Sequence, residues 1–290
     1  MRWQLAVAAP SRGPDQDPIK LDRMRVAQLD QGMMRIPFEL VSLDEVAPWG
    51  ERPTLHWFGL TQGWYGLEVG GVELLRYTEQ TLGSTRANPA AEPPWPDYYV
   101  VRLWEDLLEV LPSALEPVPD DLARFFAAEA EGWVVDAGDP DVLDDSAVAA
   151  ASEAYSRRWT DTSYLRFGPA FRWWRTLYPE DTITVAWRFT PDPDGEITFS
   201  APLSGRRTLS TQIFVAAVTD FDHRLLQAMQ ERVDRLAAAG GAPGIDLDIP
   251  GLIQEQAQRR TWLPRALARH DDTDWAAVRA GAAILAPHPA

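Results

Sequence analysis

The segment of residues 182–189 is the clearest strand in this sequence, and it constrains the fold more than any other feature. Its apolar members, spaced two residues apart, are Ile183, Val185, Trp187 and Phe189. The positions between them carry Thr182, Thr184, Ala186 and Arg188. Because successive side chains of a strand point to opposite faces, this period predicts an antiparallel sheet with one buried and one solvent-exposed face.

Other short apolar runs predict that this strand belongs to one of two antiparallel meanders. The runs of the first half cover residues 54–60, 64–69 and 72–77. Gln62-Gly63 and Gly70-Gly71 separate them, and two-residue turns with glycine are typical of hairpins. The second half adds runs at residues 164–167, 171–174 and 196–200, the last after the turn Asp192-Pro193-Asp194-Gly195.

Helical periodicity follows each meander. Between residues 98 and 111, apolar side chains recur every three or four positions, with Glu105, Asp106 and Glu109 on the other side. This pattern predicts an amphipathic helix whose acidic face is solvated. A longer helix is predicted to begin after Ser210, an N-cap residue, and to end at Gly240. Shorter helices are predicted at residues 120–130, 146–159, 250–262 and 274–285.

We therefore predict an α+β fold with two antiparallel, aromatic-rich β-meanders. Amphipathic helices follow each meander and pack on one face, and extra helices complete the C-terminus. The repeated plan raises the hypothesis of an internal duplication, which the strand orders within residues 54–111 and 164–236 can test. We predict a flexible arm or start-site extension at residues 1–32, a first unit at 33–160 and a second at 161–290. One compact domain of residues 33–290 is the alternative.

The composition indicates an ordered protein without thiol chemistry. Apolar residues make up 46% of the 290 positions and include 13 Trp, which excludes disorder for most of the chain. The absence of Cys excludes disulfides, Cys-ligated zinc and thiol nucleophiles. No apolar run approaches the roughly 20 residues of a membrane span, and the apolar patch near the N-terminus is too short for a secretory signal. We predict a cytoplasmic location and no membrane partner.

The negative charge is concentrated in one region. The net charge is −16, and residues 92–153 alone contain sixteen acidic residues and two basic ones. Such a region repels the phosphates of nucleic acid and attracts basic protein surfaces. We therefore predict a basic protein as the partner and no nucleic acid. The predicted binding residues are Glu105, Asp106, Glu109, Asp136, Asp139, Asp141, Asp144 and Asp145.

The aspartates of residues 136–145 do not fit a calcium loop. An EF-hand loop needs Gly at its sixth position and Glu at its twelfth, where the stretch that begins at Asp136 has Asp141 and Ala147. A solvated acidic loop is the simpler interpretation. We predict neither a metal site nor a cofactor.

No catalytic signature stands out. The chain lacks the motifs G-x-S-x-G and H-E-x-x-H, a P-loop, and a G-x-G-x-x-G after a strand. A ligand pocket is a weaker alternative, in which aromatic and basic side chains come together. Its candidate residues are His56, Trp64, Tyr65, Arg172, Trp174 and Arg175. Arginine beside tryptophan usually serves packing through cation–π contacts, so packing is the competing interpretation.

Long aromatic motifs are the remaining feature of the chain. They are Leu55-His56-Trp57-Phe58-Gly59-Leu60-Thr61, Gly63-Trp64-Tyr65, Tyr98-Tyr99-Val100-Val101-Arg102-Leu103-Trp104, Leu115-Glu116-Pro117-Val118-Pro119, Arg172-Trp173-Trp174-Arg175 and Val218-Thr219-Asp220-Phe221-Asp222. Across about residues 35 to 285 the chain resembles an uncharacterised actinobacterial family, domain of unknown function 5984. The resemblance implies a stand-alone cytoplasmic protein and no assigned reaction, so it assigns no catalytic residue.

Three functions follow from these observations. The leading hypothesis is a non-enzymatic interaction protein, for example an inhibitor or immunity-type protein, that presents its acidic face to a basic partner. The first alternative is a small-molecule-binding protein that uses the aromatic and arginine pocket. The second is a carboxylate-based hydrolase of unrecognised type, whose mark would be two carboxylates with opposed pKa shifts in one deep pocket.

Overall fold

The structure is a computed structural model that describes residues 32–86, 92–129, 145–242 and 244–285. The strands are β1 (Met34–Arg35), β2 (Phe38–Leu40), β3 (Gln62–Tyr65), β4 (Glu68–Val69), β5 (Val72–Glu73), β6 (Asp97–Tyr99), β7 (Trp159–Asp161), β8 (Ala170–Thr176), β9 (Thr182–Arg188) and β10 (Ser204–Ser210). The helices are α1 (Glu79–Thr85), α2 (Val100–Leu115), α3 (Ala123–Ala127), α4 (Ser146–Ser156), α5 (Thr211–Ala239), α6 (Ile249–Arg259), α7 (Trp262–Ala268) and α8 (Trp275–Leu285).

The predicted α+β class with antiparallel sheets is confirmed. The strands form three sheets of order β1-β4-β5, β2-β3-β6 and β10-β9-β8-β7, and all their pairings are antiparallel. The strand order therefore differs between the halves, since only the second half forms a sequential meander of four strands. The internal duplication is not confirmed.

The most regular patterns formed the predicted elements. Strand β9 covers most of residues 182–189. Helix α5 follows Ser210, whose hydroxyl accepts a hydrogen bond from the Ile213 N–H group at 3.2 Å. It ends at Gly240, whose φ of 70° is readily accessible only to glycine.

Several short apolar runs did not become strands. Residues 59–61 form a 3₁₀ turn, residues 164–167 form turns, and Phe199 makes only an isolated bridge with Tyr77. Gln62-Gly63 belongs to β3 and not to a turn. A Cβ at Gly63 would lie 2.1 Å from the Glu39 carbonyl oxygen, so this glycine permits close approach of β2. Burial alone therefore does not distinguish a strand from a packed loop.

Helices cover both faces of the four-stranded sheet, which corrects the prediction of one helical layer and one solvated face. On one face, the Trp173 ring lies 5.5 Å from the ring of Phe214 in α5. On the other face, Trp174 and Ala186 pack with α3, α4 and α8. The alternation of apolar and polar residues in β9 does not predict this second layer. Thr184 and Ala186 lie on the face that the layer covers, and neither is strongly apolar.

The described residues form two large hydrophobic cores and a small third cluster of Tyr77, Leu82 and Ile197. The first core contains Trp57 and Trp104 from the first half together with Trp173, Phe214 and Leu252 from the second. The second core contains Phe126, Tyr155, Trp174, Val278 and their neighbours. Within the described ranges, no helix is both long and apolar enough to cross a membrane.

Candidate functional site

Helix α2 places three of the predicted binding residues side by side. Its buried residues Val101, Trp104 and Leu108 follow the three- and four-residue spacing of an inward helix face. The same spacing brings Glu105, Asp106 and Glu109 together, because residues three or four positions apart are neighbours on a helix.

These three carboxylates line one cleft between α2 and α7. The cleft has a volume of about 590 Å³. Its lining residues are Arg102, Glu105, Asp106, Leu108, Glu109, Trp262, Arg265, Ala266 and Arg269. Thus Glu105, Asp106 and Glu109 share a site with two arginines that the sequence did not associate with them, Arg265 in α7 and Arg269 directly after it.

Asp106 is buried, which corrects the prediction of a solvated acidic face. Only 8% of the residue is exposed, although it lines the cleft. The Tyr164 hydroxyl donates a hydrogen bond to its Oδ2 at 2.9 Å, and Arg102 Nη2 lies 3.1 Å from its Oδ1. Burial raises the pKa of Asp106 to about 6, while Tyr164 and Arg102 oppose the rise. Glu109 and Glu105 add to the rise, so the carboxylates repel one another across the site.

Glu105 is held by an arginine in a ring of tryptophans. Arg259 Nη1 donates to Glu105 Oε1 at 2.7 Å. The Arg259 guanidinium lies 4.1 Å from the ring centre of Trp57 and 4.6 Å from that of Trp262. Trp262 in turn stacks on Trp104 at 5.4 Å. These contacts attach α6 and α7 to α2 and thereby form the second side of the cleft.

A tyrosine cluster lies beneath Asp106. Tyr164 stacks on Tyr98 with ring centres 4.8 Å apart, and the Arg102 guanidinium lies 5.4 Å from the Tyr164 ring centre. Burial raises the pKa of Tyr65 and of Tyr164 above the ordinary tyrosine value. The Tyr65 hydroxyl is buried without a hydrogen bond of standard geometry, although Tyr164 is close enough to lower its pKa in part. Both phenols therefore remain protonated, and Tyr164 can serve as a permanent donor to Asp106.

The structure does not bring the predicted aromatic and arginine pocket together. His56 is exposed, with its Nε2 3.1 Å from Thr54 Oγ1 and its ring 6.0 Å from that of Trp49. Trp64 lines a different cleft with Arg86 and Arg166. Tyr65 lies beneath Asp106. A ligand-binding role for these residues stays a prediction.

The three candidate pocket residues of β8, which are Arg172, Trp174 and Arg175, contact other parts of the protein. Arg172 is 2% exposed, donates to the Ala128 carbonyl oxygen at 2.8 Å, and lies 4.6 Å from the ring centre of Tyr155. Trp174 is a member of the second core. Arg175 makes two hydrogen bonds of 2.7 Å to the carboxylate of Asp181. The cation–π interpretation therefore describes Arg172, whose guanidinium also lies 5.6 Å from the ring centre of Trp174, whereas Arg175 makes an ion pair.

The remaining acidic candidates lie elsewhere. Asp145 caps α4, where its Oδ1 accepts a hydrogen bond from the Ala147 N–H group at 2.7 Å. Asp136, Asp139, Asp141 and Asp144 lie outside the described residues. In the part of the chain that the structure describes, no group of three or more His, Asp or Glu side chains could hold a metal ion.

Sequence reasoning missed the contribution of α6 and α7 to the site. Arg259, Trp262, Arg265 and Arg269 lie about 150 residues after the carboxylates that they face. Their three- to four-residue spacing was the available signal, but it indicates only that they share one side of a helical region.

The comparisons with known proteins give one result beyond the geometry. No curated protein and no solved structure matches the chain. The model of the family of unknown function DUF5984 matches residues 35–281, which is most of the chain. This match agrees with the aromatic motifs named above, and the chain belongs to that family.

Proposed function

We propose that this chain is a non-enzymatic interaction protein that binds a basic segment of a partner protein in the cleft between α2 and α7. One observation carries the proposal. Glu105, Asp106 and Glu109 lie side by side on the α2 side of the cleft, where Glu109 is exposed. Burial is the main cause of the raised pKa of Asp106; Glu109 and Glu105 add to the rise, and Arg102 opposes it. A cation bound on the α2 side offsets the repulsion between these carboxylates.

The shape and exposure of the cleft support a protein segment as the ligand. Glu109 is exposed and Glu105 is partly exposed, so an incoming Arg or Lys side chain can reach both without unfolding α2. Arg265 and Arg269 occupy the α7 side. They repel cations there, so a bound segment has to direct its basic side chains towards α2.

The two alternatives receive less support. A carboxylate hydrolase would be marked by two carboxylates with opposed pKa shifts, and the raised pKa of Asp106 supplies one side of such a pair. The aromatic and arginine residues of the alternative small-molecule pocket lie in separate places. An inhibitor or immunity-type role is a finer form of the proposal, in which the partner is a basic toxin or nuclease. The cytoplasmic location stays a prediction.

A calorimetric titration tests the proposal with a hexa-arginine peptide blocked at both ends. We expect binding at pH 7.5 in 50 mM salt, and loss of most of the affinity in 0.5 M salt, because exposed charges are screened. Glu109→Gln should weaken binding roughly two- to fivefold, in line with about 0.5–1 kcal/mol for an exposed ion pair.

Asp120→Asn provides the matched control. Asp120 is exposed in the same acidic region but does not line the cleft, and its substitution removes the same charge. Binding in this variant should remain within about 1.5-fold of the wild type, because Asp120 makes no contact in the cleft and salt screens exposed charges. Equal losses in the two variants would contradict the proposal, since the peptide would then respond only to the net charge of −16.

A further inference from the structure

We propose that β10 is a second docking surface, which accepts an acidic, extended segment of a partner protein as an additional strand. This surface is separate from the cleft and has the opposite charge. The proposal rests on the position of β10 in its sheet, on the direction of its backbone groups, and on the arginines around it.

Strand β10 is the edge of the four-stranded sheet. All seven of its residues pair with β9, from Ser204 opposite Arg188 to Ser210 opposite Thr182. Its other side faces no strand among the described residues. Ser204, Arg206, Arg207 and Thr208 are exposed, and the preceding Leu203 is 59% exposed. A long exposed edge of this kind is a template for pairing with another strand.

The backbone of β10 offers alternate hydrogen-bonding groups to such a strand. The Phe189 N–H group donates to the Leu203 carbonyl oxygen at 2.7 Å, so Leu203 faces β9. In an antiparallel pair the direction alternates at each residue. Gly205, Arg207 and Leu209 therefore face β9, while Ser204, Arg206 and Thr208 direct their N–H and C=O groups outward. The Arg207 side chain donates to the outward Arg206 carbonyl oxygen at 3.0 Å, so an added strand shares this acceptor through its second lone pair or displaces the side chain.

The charge around this edge is opposite to that of the whole protein. Residues 197–219 contain no acidic residue but include Arg206 and Arg207. Arg188 lies on the neighbouring strand, diagonal to Arg206 on the same face, and 3.9 Å from Glu129. Arg207 lies on the other face, 5.8 Å from the ring centre of Trp187. An added strand therefore meets cations on both of its faces.

This charge selects the occupant. Charged side chains on an edge strand usually prevent pairing with other edges. A second copy of β10 would bring Arg206 and Arg207 against the same residues and is disfavoured. An acidic strand instead forms cross-strand ion pairs while its backbone completes the ladder, so it is the strand that the arginines favour.

Amide exchange and binding of a defined peptide test the proposal. The probe is acetyl-Thr-Glu-Val-Glu-Val-Glu-Thr-amide. We expect it to protect the outward amides of Ser204, Arg206 and Thr208 from hydrogen exchange. Two copies of the peptide distinguish strand addition from electrostatic attraction without strand pairing. One copy carries methyl groups on the backbone nitrogens of the three Glu, and the other carries them on those of the two Val. Because only one set of peptide N–H groups can face β10, one copy should lose affinity about tenfold or more while the other binds like the parent.

Variants and a competing polyanion complete the test. The double variant Arg206→Glu/Arg207→Glu should abolish binding. The control is the double variant Arg235→Glu/Arg260→Glu, which should retain binding because its exposed arginines lie on α5 and after α6 and do not belong to β10. Three results would each overturn the proposal. They are a parent peptide that leaves the outward amides unprotected, equal binding of the two methylated copies, and retained binding by the Arg206→Glu/Arg207→Glu variant. Equal protection by a ten-residue oligothymidylate would also overturn it, since attraction to any polyanion would then suffice.

Discussion

The two large hydrophobic cores both bury arginine against aromatic rings, but in different surroundings. In the first core, Arg259 pairs with two carboxylates, Glu105 at 2.7 Å and Glu255 at 2.9 Å, beside the open cleft. In the second core, Arg158 is fully buried and pairs with one carboxylate, Glu116, at 2.9 Å. Its guanidinium lies 4.9 Å from the ring centre of Phe126 and 5.3 Å from that of Trp275.

The difference separates two uses of the same side chain. Burial lowers the pKa of Arg158, while Glu116 opposes that effect and Asp271 does so to a smaller extent, so its charge depends on carboxylates inside the protein and chiefly on Glu116. Arg259 instead lies at the boundary between core and solvent, where it joins α6 to α2 and neutralises Glu105. We infer that Arg158 joins helices of the second core to the main body, while Arg259 shapes the candidate site.

Arg158→Met should have the largest effect on stability. It leaves the carboxylate of Glu116 largely buried without its cation, a change that costs about 3–5 kcal/mol in other buried pairs. Thr273 continues to donate to Glu116 from its hydroxyl at 2.6 Å, so we expect a loss near the lower end. Urea unfolding measures it. The control is Arg157→Met, whose pair with Glu153 is exposed; a comparable loss there would remove the distinction between buried and exposed pairs.

Arg259→Met should cost less, about 2 kcal/mol, because both of its carboxylate partners retain access to water and methionine preserves apolar packing on the tryptophans. Amide hydrogen exchange should become faster in α6 and α7 while α8 is unaffected. Unchanged exchange in α6 and α7 would show that Arg259 does not attach them to α2.

Asp106→Asn should stabilise the protein by about 1–3 kcal/mol at pH 7.5. The folded-state pKa of about 6 lies above the ordinary 3.8, so the folded chain holds this proton more tightly than the unfolded chain. The wild type therefore loses stability as the pH rises from about 4 through 6, and the variant lacks this loss. Urea unfolding at pH 4.5 and 7.5 measures the difference, which should be smaller at pH 4.5. Destabilisation at pH 7.5 would mean that the Arg102 pair outweighs burial.

Glu109→Gln should change the free energy of unfolding by less than about 0.5 kcal/mol, since Glu109 is exposed. Its effect should appear in peptide binding. A large loss of stability in this variant would assign Glu109 to the fold and not to recognition.

The sequence predicted local features better than contacts between residues that lie far apart in the chain. Three predicted features depend only on residues close together in the chain. They are the alternation in β9, the cap at Ser210, and the shared helix side of Glu105, Asp106 and Glu109. The burial of Asp106 was missed because it depends on Tyr164, which lies 58 residues away and was expected in a strand. The contact of Arg259 with Glu105 spans 154 residues and leaves no local pattern.

The sequence by itself determined the α+β class, the regular strand and long helix, and the concentration of negative charge. These properties follow from periodicity and composition, which act over short distances along the chain. Only the tertiary structure decided that the acidic side of α2 faces Arg265 and Arg269 at α7, that the second face of the sheet is covered, and that β10 is an edge strand among the described residues. These properties depend on which distant surfaces are buried against each other, because burial and pairing change the energies of charges and backbone groups.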